Sequence, residues 1–116
     1  MNSIRVNAKF VDIPAANLAE FKKVAAEALA ITRSEQGVLQ YDWFFDDTET
    51  VCVVLETYKD SEALLAHIAN VGEEFGRLVE LGGGCELEMF GDLPAQLVEA
   101  TAGVQRSVFP SYFQGK

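Results

Sequence analysis

The stretch from residue 38 to 58, VLQYDWFFDDTETVCVVLETY, limits the fold more than any other part of the chain. Two runs rich in aromatic and β-branched residues flank a short polar link, Asp46-Asp47-Thr48-Glu49. This is the pattern of an antiparallel hairpin, with strands over residues 38–46 and 50–58. A strand with one wet face should alternate apolar and polar residues. These two strands do not. Tyr41, Trp43 and Phe45 point one way, but Phe44 joins Asp42 on the other. Val51, Val53 and Leu55 oppose Cys52, Val54, Glu56 and Tyr58. Both faces of the hairpin therefore need an apolar cover.

The flanking segments supply one cover. Residues 4–12 read as a first strand, with Ile4, Val6, Ala8 and Phe10 alternating with Arg5, Asn7, Lys9 and Val11. A helix is expected from about Asn17 to Glu35, with Asn17 and Glu20 spaced as a capping box and Gly37 as its stop. Asp60 or Ser61 caps a second helix, in which Leu64, Ile68, Val71 and Phe75 form an apolar stripe. A break near Gly72 divides that helix in this reading. The run Gly82-Gly83-Gly84 precedes a strand over residues 85–91 and lacks the Lys-Ser/Thr of a phosphate loop, so it reads as a turn. Pro94 opens a last helix, which Gly103 ends.

The order β-α-β-β-α-β predicts an α+β, ferredoxin-like fold. Its four-stranded antiparallel sheet carries both main helices on one face. The second face is covered most simply by another copy of the same sheet, or by a ligand. Strand three should be central, between strands one and two, with strand four beyond strand one. Cys52 and Cys85 then lie on strands that are not neighbours, which disfavours a disulfide. The apolar tail residues Val108, Phe109, Tyr112 and Phe113 argue against a disordered terminus. Residues 104–113 are expected to pack across a partner protomer.

The net charge of -9, from 18 acidic and 9 basic residues, excludes the basic stripe that nucleic acid requires. It equally disfavours an anionic membrane surface. No apolar run is long enough to span a bilayer, and the N-terminal MNSIRVNAKF has no signal pattern, so the expectation is a soluble cytoplasmic protein. Two cysteines without a CxxC or Cys/His cluster give no metal site.

Few residues carry chemistry. His67 is the only histidine; it borders the apolar stripe three residues on from Leu64, where it could serve as a general base near neutrality. Glu56 interrupts an apolar strand and needs a partner or a solvated pocket. It could orient a histidine, accept a substrate hydroxyl, or pair with Lys9 or Arg5. Asn7 sits in a strand, where asparagine is disfavoured, and its amide could hold a carbonyl. Tyr41 and Trp43 could stack on a flat ring, or simply pack. Tyr58 and Phe75 complete the candidate substrate-binding set.

The run EQGVLQYDWFFDDTETVCVVLETYKDSEALLAHIANV carries a more specific pattern. Its features are the E-x-G turn at Glu35 to Gly37, Tyr41, and the series Glu56, Tyr58, Asp60, Ala63, His67. In these it resembles the antibiotic biosynthesis monooxygenase (ABM) family of dimeric α+β barrels. The resemblance covers roughly residues 4–91, as the core of a single domain spanning 1–116, with the helix and tail at 92–116 outside it. It implies a homodimer with a pocket between sheet and helices in each protomer. Relatives oxidise aromatic polyketides or quinols with molecular oxygen and no cofactor; others degrade haem or isomerise small carbonyl sugars. Polyketide-oxidising and haem-degrading relatives have an asparagine on the first strand, as at Asn7. The haem-degrading set places its tryptophan on a later strand than Trp43, where this chain has Thr57 or Tyr58, so haem chemistry fits poorly. The expected activity is cofactor-independent oxidation of a small phenolic, quinol-type or polyketide-like substrate. His67 and Glu56 would be catalytic and Asn7, Tyr41, Trp43, Tyr58 and Phe75 substrate-binding. A non-catalytic dimer that binds a small hydrophobic ligand, or an isomerase, are the alternatives.

Overall fold

The computed structural model describes residues 3–113 and 115. Strand β1 (Ile4–Phe10) leads through a short 3-10 turn to helix α1 (Leu18–Thr32). The hairpin β2 (Val38–Phe45) and β3 (Cys52–Tyr58) follows, then helix α2 (Ser61–Leu81) and β4 (Glu86–Phe90). Helix α3 (Ala95–Ala100) and strand β5 (Gln105–Phe109) close the chain. The sheet order is β2-β3-β1-β4-β5. The first four strands pair antiparallel in the expected ferredoxin-like order.

The fifth strand corrects the four-stranded expectation. β5 runs parallel to β4, with Glu86 opposite Gln105 and Phe90 opposite Phe109. The apolar tail residues at 105–109 thus join their own sheet, where Phe90 and Phe109 stack at 5.0 Å. Beyond the strand, Phe113 is 101% exposed. Arg106 ties the extension together by donating to the carbonyls of Val98 and Thr101 at the end of α3. The Val98 carbonyl also accepts from the Thr101 hydroxyl and the Thr101 carbonyl from the Val104 amide, and a cation beside these carbonyls suits the helix dipole.

Both long helices lie on the face to which Ile4, Val6, Ala8 and Phe10 point, and those four side chains are buried. Phe10 meets Phe21 of α1 edge-on at 5.0 Å, and Phe21 meets Trp43 and Phe45 of β2 in the same way. Cys52 and Cys85 are buried and free. Cys52 lies opposite Phe10 on β3 and Cys85 precedes β4, so β1 separates them. The other sheet face is open: Phe44, on the same side as Asp42, is 54% exposed.

Three local expectations change. Asn17 does not cap α1; its amide donates to the carbonyl of Leu81 at the end of α2 instead. Helix α2 runs unbroken through Gly72, because its buried stripe of Leu64, His67, Val71 and Leu78 holds both halves to the sheet. Helix α3 ends at Ala100, ahead of Gly103. Two other signals act as read. Asp60 caps α2 by accepting from the Ala63 amide. Gly83, at φ +74, turns the chain so tightly that a Cβ would lie 2.7 Å from the Asp12 carbonyl oxygen. No helix among the described residues is long and apolar enough to cross a membrane.

Candidate active site

The helices do not fill the space above the sheet. A cavity of about 270 Å³ remains between them and strands β1 to β4. Val6 and Ala8 of β1, with Val54 and Glu56 of β3, form its floor, and Tyr41 and Trp43 of β2 one wall. Leu64, His67, Val71 and Phe75 of α2 lie over it. Helical spacing explains this: Leu64, His67, Val71 and Phe75 recur every three or four residues, on one helix face.

His67 is 5% exposed and wedged between two tyrosines, with its ring 5.1 Å from Tyr41 and 5.3 Å from Tyr58. Its Nδ1 lies 2.7 Å from Oε1 of Glu35. A carboxylate accepts, so Nδ1 carries the proton and Nε2 is the basic nitrogen. The second oxygen of Glu35 accepts from the Asn70 amide at 2.6 Å, which fixes the carboxylate from both sides.

Glu35, and not Glu56, therefore orients the histidine. The sequence placed Glu35 only in a turn, yet a signal was present. A Cβ on Gly37 would sit 2.6 Å from the Ala63 Cβ. That close approach presses the E-x-G turn against the first turn of α2. Ala63 and His67 are four apart and share a helix face, so a turn seated on Ala63 delivers Glu35 to His67.

Glu56 lies on the cavity floor and accepts a short hydrogen bond from the Tyr58 hydroxyl. Burial pushes its carboxyl up to about 7, against the opposing effect of the Tyr58 bond. Tyr41 and Tyr58 are both pushed well above the usual phenol range, first by burial and then by the charge of Glu56. Both phenols thus stay protonated and serve as donors. Lys9, considered as a partner for Glu56, lies on the opposite sheet face and pairs with Glu88 at 3.3 Å.

The structure brings together His67, Glu56, Tyr41, Trp43 and Phe75 at the cavity, with Tyr58 immediately behind Glu56. It does not bring Asn7. That side chain alternates onto the open sheet face, where its amide donates to Glu88 at 3.2 Å. The Asn7 bond and Lys9 hold the Glu88 carboxyl below its ordinary range. The indole N–H of Trp43 is buried without a partner. Among the described residues no group of three His, Cys, Asp or Glu side chains is placed to hold a metal ion.

A ferredoxin-like sheet with an apolar chamber under two helices, and a histidine fixed by a carboxylate at its edge, defines a class of small α+β barrel proteins. The chain belongs to the antibiotic biosynthesis monooxygenase family, whose sequence pattern matches residues 3–80. Among solved structures, MupZ from Pseudomonas fluorescens shares the fold over 99% of this chain and 93% of its own, at 22% identity and a TM-score of 0.75. A conserved protein from Methanosarcina mazei matches 77% of this chain and 91% of its own, at 27% identity and a TM-score of 0.68. SnoaB, a cofactor-independent oxygenase from Streptomyces nogalater solved as an N63A mutant, matches 77% and 89%, at 17% identity and a TM-score of 0.60. No curated protein is similar to this sequence.

Proposed function

We propose that the chain is a cofactor-independent monooxygenase that oxidises a small, uncharged phenol or hydroquinone with molecular oxygen. The observation that carries this reading is the His67–Glu35 pair at 2.7 Å on the edge of an apolar cavity. An apolar cavity of roughly 150 Å³ accepts a benzene ring, so about 270 Å³ corresponds to one or two fused rings. Among the described residues no lysine or arginine lines the cavity, and Glu56 and Glu35 would repel a substrate carboxylate.

The phenolic hydroxyl donates its proton to Nε2 of His67, and Glu35 stabilises the imidazolium that forms. The apolar walls leave the phenolate poorly solvated. It passes one electron to oxygen, and the two radicals combine at a ring carbon that bears hydrogen. His67 returns its proton to the resulting peroxide. Loss of that carbon's proton with cleavage of the O–O bond then releases water and leaves a quinone carbonyl. The Tyr41 phenol is a donor for a second substrate oxygen.

We further propose that the protein works as a cytoplasmic homodimer, with the open sheet face carrying the exposed Phe44 covered by a second copy. One observation favours a second reading: Glu56 and His67 line the same cavity, and burial pushes the Glu56 carboxyl up to about 7, so the pair could move a proton between two substrate carbons, as an isomerase would. Oxygen uptake with hydroquinone and dihydroxynaphthalenes separates the two. Uptake that falls roughly 10²-fold or more in His67→Ala supports the oxygenase. Turnover without uptake supports the isomerase, and ring binding with no turnover leaves a binding protein.

A further inference from the structure

Helix α2 contains two glycines, Gly72 and Gly76, one turn apart in its middle. Each costs roughly 1 kcal/mol of helix stability relative to alanine. Neither is required by crowding, because a Cβ at either position would meet nothing within 4 Å. They differ in one respect. Gly72 lines the cavity and Gly76 does not.

Most residues lining the cavity are buried or half-buried, and the two that are exposed are Gly72 and Ala100. Ala100 is the last residue of α3, in the extension that lies beyond the family match at residues 3–80. Thr101 and Val104, from the same extension, also face the cavity. The exposed part of the lining thus lies at the middle of α2 and the end of α3. Both residues there have almost no side chain.

We propose that Gly72 and Ala100 form the doorway of the cavity, and that the C-terminal extension is the wall that limits which ring systems enter. Gly72 is kept free of a side chain because a larger one would project across the opening. Val104 sets the depth behind it. This inference rests on the cavity being the ligand site and not on the oxidation, so it survives if no oxygen is consumed.

Trp43 is the only tryptophan in the sequence and lines the cavity, so its fluorescence reports a ring that arrives there. The probe is 1-nitronaphthalene, an uncharged bicycle whose nitro group quenches indole on contact, followed by stopped flow. Gly72→Leu should raise the melting temperature yet slow quenching roughly tenfold. Gly76→Leu should give the same gain in stability with unchanged quenching. Val104→Ala should admit 9-nitroanthracene, which the native chain excludes. Equal quenching rates in Gly72→Leu and Gly76→Leu would overturn the proposal. So would a native chain in which 1-nitronaphthalene leaves Trp43 unquenched. Intact gating without oxygen uptake would remove the oxygenase reading alone.

Discussion

Replacing Glu56 with glutamine tests the electrostatics of the cavity floor. Burial raises this carboxyl from its ordinary 4.5 to about 7. A raised carboxyl binds its proton more tightly in the folded state than in the unfolded chain. Its contribution to stability is therefore full below about 4.5, falls as pH rises, and is lost above about 7. At about 1.4 kcal/mol per pKa unit, the penalty for keeping Glu56 folded and ionised has a ceiling of about 3 kcal/mol. Its carboxyl borders the cavity, where water reduces the penalty, so about 1–3 kcal/mol is expected. Glutamine keeps the shape and an oxygen to accept from Tyr58, but never ionises. Glu56→Gln should match the native chain at acid pH and become more stable than it as pH rises to neutrality and beyond. Urea melts across this range measure the difference. A constant difference at every pH would refute the buried-carboxyl account.

Gly37→Ala should cost about 1–3 kcal/mol, since its methyl would lie 2.6 Å from the Ala63 Cβ and must push the turn away from α2. The same shift would draw Glu35 from His67, so a urea midpoint equal to the native one would contradict the link between that turn and the site. Phe44→Asp, at a position 54% exposed on the open sheet face, should leave the circular dichroism unchanged and yield a monomer in sedimentation. A persistent dimer would move the interface elsewhere.

Alternation and helical period carried most of the fold. Val6, Ala8, Val54 and Leu64 all face the side their spacing assigns. The paired order of β1 to β4 follows from one short hairpin link and two helical crossovers. Period also spoke about Asn7: flanked by Val6 and Ala8, it had to face away from the helices. Likeness to first-strand asparagines in relatives says nothing about which side such a residue takes. Glu35 was harder to read, because a turn has no period and its meeting with His67 depends on the Gly37–Ala63 contact. Gly72 looked like a break because propensity is local, while the stripe from Leu64 to Leu78 is held by tertiary packing. β5 was missed because five residues with no apolar alternation resemble a tail; only the neighbouring edge of β4 makes them a strand.

The two cysteines on either side of β1 lend the molecule a clock. Burial pushes both thiols up to about 12, so neither forms the reactive thiolate while the sheet is closed. A thiol reagent added to the native chain must wait for the strands to part. The labelling rate then counts openings of the central sheet. Separate labelling times at Cys52 and Cys85 would tell whether the hairpin side and the extension side of the sheet let go together or in turn.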